Sequence, residues 1–259
     1  MTVANSASDP KRTNMKQSIQ VCDDHESLSR QAAARITNAL VSKRDLLLCA
    51  AGGSTPLRTY QLLAEQCAQK PSVFEKLRVV KLDEWGGIPM TDSGSCEQQM
   101  QTLLVSPLGI TSDRYFGFDS NAANPEAECD RVRRRLTSEG PIDICVLGLG
   151  MNGHVAMNEP AAFLKPFCNI ARLAETTLAH PMLSATKSPP TYGLGLGMAE
   201  ILASQKILLL VNGAKKREPL RRLLRRELTS EFPASFLWLH PNWTLLCDRE
   251  AAEGLDLRS

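Results

Sequence analysis

Short apolar runs alternate with longer amphipathic stretches along the chain, and this alternation constrains the fold more than any other feature of the sequence. Four runs of five to seven residues are rich in Val, Ile and Leu, namely Leu46–Ala50, Leu77–Leu82, Ile142–Gly148 and Lys206–Val211. Such runs are typical of strands that are buried on both faces. The stretches around them have helical periodicity, namely Glu26–Val41, Pro56–Ala68, Cys96–Val105, Pro125–Thr137 and Ala214–Leu228. Strands that alternate with helices predict an α/β protein with a mostly parallel sheet.

We expect a single domain over residues 16–259, with a three-layer α/β/α architecture and a Rossmann-like sheet. The chain has 259 residues, which is long enough to bury a large core, and it contains no Pro/Ser-rich linker and no internal repeat. Residues 1–15 are polar and rich in turn-forming residues, so they are predicted to be a disordered tail. No apolar run approaches the roughly 20 residues of a membrane span, so no membrane partner is expected.

The charge balance and the cysteines argue against several classes of partner. Thirty Lys and Arg against 28 Asp and Glu give a net charge of +2, and the basic run Asp130–Arg135 contains no aromatic residues. A nucleic-acid partner is therefore not expected. The eight cysteines are scattered and form no CxxC pair. They predict reduced core thiols in the cytoplasm, with no disulfide frame and no metal site.

Ligands of open α/β sheets bind beyond the carboxyl ends of the strands, and four such ends carry polar residues here. The first strand leads into Ala51–Pro56, where two glycines and two hydroxyl residues precede a helix. Pro56 suits the first position of that helix. Free N–H groups at a helix N-terminus favour a bound anion. The loop alone supports a phosphate site and a ligand-free capped turn equally well.

The second strand ends in an adjacent pair of carboxylates, Asp83 and Glu84. Neighbouring side chains at the end of a strand point to opposite sides. One carboxylate can therefore face the cleft and act as a base while the other faces the protein. The alternative is a solvated acidic pair before the Gly86–Gly87 turn, and the pair by itself favours that alternative.

The third strand leads into a glycine-rich segment with a literal GxGxxG that begins at Gly148. A dinucleotide site is disfavoured, because no helical pattern follows the last glycine and no acidic residue ends a strand about 20 positions later. The segment instead predicts an active-site loop that presents His154 and Glu159 for acid–base chemistry.

The fourth strand is followed by Gly213–Lys216, where Lys216 would add positive charge to an anion site. The arginines further along that helix are predicted to form a solvated basic face, namely Arg221, Arg222, Arg225 and Arg226. The four strand ends thus offer an anion loop, a carboxylate, a His/Glu loop and a lysine. This set suits acid–base chemistry on a small phosphorylated metabolite, without a metal or a nucleotide cofactor.

The four strand ends together resemble the motifs of one known family, the glucosamine-6-phosphate deaminase/isomerases, which share a superfamily with the 6-phosphogluconolactonases. The similar segments are, in chain order, Ala51–Pro56, Leu82–Trp85, Leu147–Pro160 and Gly213–Lys216. The triplet Asn158–Pro160 distinguishes the deaminases from the lactonases. The bacterial galactosamine-6-phosphate branch is more similar still, because it shares Lys81–Trp85, Asn152–His154 and Ser235–His240.

The resemblance implies that an amino-sugar 6-phosphate is deaminated and isomerised from aldose to ketose, with cleavage of a carbon–nitrogen bond by hydrolysis. Galactosamine 6-phosphate, giving tagatose 6-phosphate and ammonia, is the preferred substrate, and glucosamine 6-phosphate, giving fructose 6-phosphate, is the second. By position in the motifs, Asp83 is the proton-transfer base, His154 the ring-opening acid/base and Glu159 the carboxylate that orients it. The implied phosphate site is Gly52, Gly53, Ser54, Thr55 and Lys216. The resemblance implies no cofactor and allows a homo-oligomer.

Two departures from the glucosamine-type pattern bear on the substrate. Glucosamine-type members carry Asp at the position of Asn152, which belongs to the catalytic set here. Asn152 is expected to lower the pKa of His154 relative to the Asp form, because a negative charge is missing. Those members also place a phosphate-binding arginine after residue 170. Arg172 comes too early for that role, and His180 is the candidate for a polar contact to the phosphate, with a helix-end histidine as the alternative.

Both departures favour the galactosamine-type branch, and two other functions remain open. A lactone hydrolase of the same fold is disfavoured by Asn158–Pro160. A sugar-phosphate sensor without turnover has only Asn152 in its favour, because Asp83, His154 and Glu159 are all present.

Overall fold

The computed structural model of the protein describes residues 16–256. The predicted tail, residues 1–15, and the last three residues of the predicted domain lie outside the described residues. The strands are β1 (Ser18–Cys22), β2 (Leu47–Ala50), β3 (Arg78–Lys81), β4 (Asp83–Gly86), β5 (Tyr115–Phe116), β6 (Ile144–Gly148), β7 (Asn169–Ala171), β8 (Tyr192–Gly195), β9 (Ile207–Val211) and β10 (Trp243–Asp248). The α-helices are α1 (His25–Ser42), α2 (Ser54–Gln69), α3 (Cys96–Met100), α4 (Pro125–Glu139), α5 (Glu175–Leu178), α6 (Met198–Leu202), α7 (Arg217–Leu224) and α8 (Arg249–Ala252).

Seven strands form one sheet in the order β1-β10-β9-β6-β2-β3-β5, and every neighbouring pair in it is parallel. Its central strands are buried on both faces. In β2, Leu47 and Cys49 pack into the core on one face, while Leu48 and Ala50 pack into the core on the other. Burial on both faces explains why these runs are continuously apolar rather than alternating.

Helices cover both faces of this sheet. On one face α1 and α2 pack through side chains that include Ile36 and Leu63. On the other face α4 and α7 pack through side chains that include Val132 and Leu220. The predicted α/β class with its three-layer arrangement and parallel sheet is therefore confirmed. Within residues 16–256, no helix is long and apolar enough to cross a membrane.

A second, smaller sheet has the order β4-β8-β7 and is antiparallel. The sequence did not predict it. Only Leu82 separates β3 of the large sheet from β4 of the small one. The chain therefore passes from one sheet to the other at the carboxyl end of β3, and Asp83 lies at that junction.

Several predicted helix boundaries are corrected by the structure. Helix α2 begins at Ser54, so Pro56 is its third residue rather than its first. Pro56 still lies in the first turn, where an N–H group would have no partner within the helix, so the missing N–H costs no hydrogen bond. The stretch predicted as one helix from Cys96 divides into α3 and a π-helical turn, Gln101–Val105. Helix α7 ends at Leu224, because Arg226 adopts a left-handed φ of 59°.

The four strands that the sequence predicted are neighbours in the sheet, in the order β9-β6-β2-β3. Their carboxyl ends therefore lie side by side. This arrangement brings together the loops that follow them, and the candidate site forms there.

Candidate active site

One pocket opens at the carboxyl ends of β2, β3, β6 and β9. Most of the predicted site residues line it, namely Gly52, Gly53, Ser54, Thr55, Asp83, His154, His180 and Lys216. Asn152 and Glu159 are not among its lining residues, although both lie behind His154. Trp85, Cys96 and Thr177 line the pocket as well and were not predicted to do so. The structure therefore brings an anion loop, a carboxylate, two histidines and a lysine to one cleft.

The anion loop is shaped by its two glycines. Gly53 is the N-cap of α2 and has a φ of 89°, a conformation that favours glycine. A Cβ on Gly52 would lie 3.1 Å from Gln99 Oε1 and 3.3 Å from Cys96 Sγ, so the loop packs closely against α3. Thr55 lines the pocket, but its hydroxyl donates to Asn212 Oδ1 at 2.6 Å. Its side chain therefore supports the loop, and its backbone remains at the helix N-terminus.

Positive charge gathers beside this loop. Lys216 Nζ donates to the carbonyl of Leu149, and burial lowers the pKa of its ammonium group. His180 Nδ1 accepts from the backbone N–H of Met182 at 3.2 Å, so a neutral His180 carries its proton on Nε2. That nitrogen would lie 3.7 Å from a Cβ placed on Gly53. His180 therefore presents an N–H donor to the anion loop.

The pKa of His180 is lowered by burial and, second, by the charge of Lys216. The charge of Lys216 thus disfavours a second positive charge on His180, and a bound anion would relieve this repulsion. Arg172 is exposed and does not line the pocket, as its early position in the sequence suggested. His180, rather than an arginine, lies beside the anion loop in this chain.

Asp83 is the carboxylate that faces the pocket. Burial raises its pKa to about 7, and the charge of Glu84 contributes in the same direction. Lys81 and the thiol of Cys96 oppose this rise by favouring the ionised form. A base works best when its pKa is near the operating pH, so Asp83 is suited to take up and release a proton near neutrality.

Glu84 faces the protein interior rather than solvent, so the alternative of a solvated acidic pair fails. Its side chain is fully buried and pairs with Lys81 Nζ at 2.7 Å. It also accepts hydrogen bonds from the backbone N–H groups of Trp85, Cys96 and Glu97. Lys81 makes a second ion pair, with Glu97 at 2.6 Å. A fully satisfied ionic network therefore holds the strand that bears Asp83.

Asn152 lies between His154 and Glu159. Its Oδ1 is 2.8 Å from His154 Nδ1, and its Nδ2 donates to Glu159 Oε2 at 2.8 Å. An amide oxygen can only accept, so His154 Nδ1 carries the proton and Nε2 is left as a basic nitrogen. His154 Nδ1 is 3.7 Å from Glu159 Oε2. Glu159 therefore orients His154 mainly through Asn152 and stays outside the pocket itself.

The charges around His154 shift its pKa in opposite directions. Burial lowers the pKa of His154, the Glu159 carboxylate raises it, and Lys216 and His180 lower it further. The net result is a lowered pKa, which keeps the imidazole neutral near pH 7.

The glycines of the third loop make room for His154 rather than for a dinucleotide. A Cβ on Gly150 would lie 2.4 Å from His154 Nδ1. Gly153 has a φ of 90°, and a Cβ there would lie 2.0 Å from the ring of Phe232. The GxGxxG pattern is therefore explained by the packing of its own loop.

We expect Glu159→Gln to lower the pKa of His154 further, because it removes the carboxylate that favours the imidazolium. Asn152→Asp is expected to raise that pKa, since it places a carboxylate against Nδ1. NMR titration of the ring nitrogens measures both, and His240, which is buried beside Ser204, is an internal control. A His154 pKa that rises in Glu159→Gln, or does not rise in Asn152→Asp, would contradict this account.

Residues 23–245 match the protein family described as glucosamine-6-phosphate isomerases/6-phosphogluconolactonase. A protein of Escherichia coli strain K12 named "Putative deaminase AgaI" is 39% identical over 245 residues, which cover 95% of this chain and 97% of that protein. Glucosamine-6-phosphate deaminase 1 of Bacillus subtilis strain 168 is 36% identical over 237 residues, covering 90% of this chain and 98% of that protein.

Solved structures show the same relationship. A monomeric glucosamine-6-phosphate deaminase superposes with a TM-score of 0.85 at 34% identity and covers 91% of this chain and 98% of its own. The 6-phosphogluconolactonase of Trypanosoma brucei superposes with a TM-score of 0.74 at 24% identity, over 93% of this chain and all of its own. The lactonase shares the fold, whereas the deaminase is also similar in sequence.

Proposed function

We propose that this chain, which belongs to the glucosamine-6-phosphate isomerase/6-phosphogluconolactonase family, converts galactosamine 6-phosphate to tagatose 6-phosphate and ammonia, with glucosamine 6-phosphate as a second substrate. Without the choice between the two sugars, the activity is the deamination of an amino-sugar phosphate. It is supported by two Bacillus relatives that are named glucosamine-6-phosphate deaminases and whose similarity extends over about nine-tenths of the chain. The finer choice of galactosamine rests on Asn152, on His180 at the phosphate loop and on the motifs shared with that branch.

One observation supports the activity most directly. A carboxylate with a pKa of about 7 shares a pocket with an anion loop at the N-terminus of α2 and with a neutral histidine. The phosphate binds at the loop, where the N-terminus of α2, Lys216 and His180 supply positive charge and N–H donors. This end of the pocket fixes the orientation of the sugar, whose reacting carbons then lie toward Asp83 and His154.

The reaction proceeds by proton transfers. His154 Nε2 takes the proton of the ring hydroxyl as the sugar opens, and it returns a proton to the ring oxygen. Asp83 removes the proton from carbon 2 of the open chain, and the aldehyde oxygen takes up the proton that the substrate ammonium group gives up, which forms an enolamine. Asp83 then delivers its proton to carbon 1, which leaves an iminium at carbon 2. Water adds to this iminium, the carbon–nitrogen bond breaks, and ammonia and the ketose phosphate leave. A positioned base contributes about 10²–10⁴-fold to such a proton transfer.

Ammonia release from galactosamine 6-phosphate and glucosamine 6-phosphate, measured side by side at one enzyme concentration, tests the proposal. Release mainly from the galactosamine substrate supports both the activity and the choice of epimer. Release mainly from the glucosamine substrate keeps the mechanism and overturns the choice of substrate. Release from neither, with hydrolysis of 6-phosphogluconolactone instead, would assign the chain to the lactonases of the family.

We expect His180→Leu to raise the KM for the amino-sugar phosphate about 10–100-fold and to change kcat much less. The variant removes an N–H donor to the phosphate, and a hydrogen bond to a charged group contributes about 1.5–3 kcal/mol. His180→Gln is the matched control, because its amide can still donate. Steady-state kinetics with both variants measures the effect, and equal KM values for wild type and His180→Leu would place the phosphate elsewhere.

A further inference from the structure

Helix α3 lies against both halves of the pocket, although no residue of α3 was predicted to belong to the site. Cys96, its first residue, lines the pocket, and its Sγ is 3.9 Å from Asp83 Oδ1. Gln99, one turn later, accepts a hydrogen bond from the backbone N–H of Gly53 at 2.8 Å. One short helix thus contacts the carboxylate and the anion loop at the same time.

The position of α3 is fixed by the neighbour of Asp83. The Glu84 carboxylate accepts hydrogen bonds from the N–H groups of Cys96 at 2.9 Å and Glu97 at 2.7 Å. The hydroxyl of Ser95 caps the same helix by accepting from the N–H of Gln98. These bonds satisfy N–H groups that have no partner within the helix. The strand that bears Asp83 and the helix that contacts it therefore form one unit.

In the contact between Cys96 and Asp83, the donor and the acceptor can be assigned. Burial raises the pKa of the Cys96 thiol, and the charges of Glu84 and Asp83 raise it further. The sulfur therefore keeps its proton and acts as the donor to Asp83. Cys96 also fills the space beside Gly52, since a Cβ on that glycine would lie 3.3 Å from Sγ.

The bond between Gln99 and Gly53 orients a peptide that the phosphate site depends on. Gly53 is the N-cap of α2, so its N–H precedes those of the first helical turn. Gln99 accepts a hydrogen bond from this N–H and does not line the pocket itself. Its influence on a bound phosphate must therefore pass through the loop.

We propose that Cys96 and Gln99 are positioning residues with separate tasks. Cys96 holds the Asp83 carboxylate in place as the base, and Gln99 holds the Gly52–Gly53 loop in the form that binds phosphate. The inference rests on the proposed function for the roles of Asp83 and the loop, but both tasks are measurable without turnover.

The first arm of the test compares Cys96→Val and Cys96→Ser. Valine keeps the site buried and removes the donor, so the pKa of Asp83 should rise by about half to one unit, the equivalent of one hydrogen bond. Serine restores a donor and should return the pKa toward the wild-type value. Carbon-13 NMR titration of the Asp83 carboxyl, assigned with Asp83→Asn, gives the values. Identical Asp83 pKa values in wild type and both variants would overturn the role of Cys96.

The second arm compares Gln99→Met with Gln98→Met, which changes the adjacent residue on the same helix. The Gln98 side chain donates a long hydrogen bond to Thr102 Oγ1 at 3.4 Å and does not line the pocket. Inorganic phosphate is the probe, and its Kd should rise about 10-fold in Gln99→Met and stay within twofold in Gln98→Met. Gln99→Asn keeps the amide but is too short to reach Gly53, so it should weaken phosphate binding as well.

The two arms distinguish the role of Cys96 from that of Gln99, and both roles from the proposed function. Gln99→Met should leave the pKa of Asp83 unchanged, and Cys96→Val should leave the Kd of phosphate unchanged. If Gln99→Met and Gln99→Asn both bind phosphate as wild type does, the role of Gln99 is wrong. If both arms succeed while neither amino sugar releases ammonia, the positioning roles stand and the proposed function fails.

Discussion

Asp83→Asn is expected to lower kcat for ammonia release by about 10²–10⁴-fold, because the amide that replaces the carboxylate cannot take up a proton from carbon 2. The side chain keeps its size, and Asp83 is not part of the anion loop. Binding of inorganic phosphate should therefore stay within about twofold of the wild-type Kd. Steady-state kinetics and a phosphate titration on the same preparation measure the two effects.

The pH dependence of the wild-type enzyme belongs to the same prediction. Asp83 acts as a base only when ionised, and burial raises its pKa to about 7. The value of kcat/KM should therefore rise with pH through about 7. Glu84→Gln tests the cause of this pKa, since the charge of Glu84 raises the pKa of Asp83. The turnover that remains in this variant should have its acid limb at lower pH. Near-native turnover in Asp83→Asn would mean that another group is the base.

The four strands that the sequence predicted are largely buried, although β10 is also buried along its whole length and was not predicted. The runs that became β2 and β9 are buried along their whole length, so their apolar residues are continuous. Strand β1, Ser18–Cys22, lies at the edge of the sheet with one buried residue, so it has no such run. Strand β8 reads Tyr-Gly-Leu-Gly, and its glycines disfavour a strand by propensity. Such strands depend on their partners, which a local pattern does not contain.

The residues of the site also differ in whether a local sequence pattern predicts them. Asp83, His154 and Lys216 were predicted together because each follows a parallel strand, and the ends of such strands meet at one edge of the sheet. Lys81 and Gln99 were missed, because their roles depend on contacts between distant parts of the chain. The bond from Gly53 to Gln99 joins residues 46 positions apart. No spacing rule in a single sequence connects those two positions.

Glu159 is a third case, because its role was predicted without the contact through which it acts. The resemblance implied that Glu159 orients His154, and the structure places Asn152 between the two side chains. Glu159 Oε1 is buried and has no hydrogen-bond partner among the described residues. The orientation of an amide between two groups is a matter of side-chain rotation, which the sequence does not determine.

Lys81→Met is expected to lower the free energy of unfolding at neutral pH by about 3–5 kcal/mol, because it leaves two buried carboxylates without their cation. Lys81 is 1% exposed and lies 2.7 Å from Glu84 and 2.6 Å from Glu97. Lys43→Met is the matched control: Lys43 also forms an ion pair, with Asp143, but its side chain is 45% exposed. An exposed pair contributes about 0–1 kcal/mol, so the control should cost little. Urea unfolding of both variants measures the difference.

The pH dependence of this loss distinguishes an ionic cause from a packing defect. In the wild-type protein Lys81 overcomes the effect of burial and lowers the pKa of Glu97, so this pair contributes stability above the unfolded pKa, and that stability is lost as pH falls. In Lys81→Met the Glu97 carboxylate should have a raised pKa, because the cation that lowers it is gone and burial remains, so the folded variant is favoured below the unfolded pKa and weakens as pH rises. The difference between the proteins should therefore be largest near pH 7 and shrink toward about pH 4. Adding Glu84→Gln and Glu97→Gln to Lys81→Met should recover much of the loss at neutral pH. A deficit that is equal at both pH values, and that the added amides do not reduce, would mean that Lys81 stabilises the protein by packing alone.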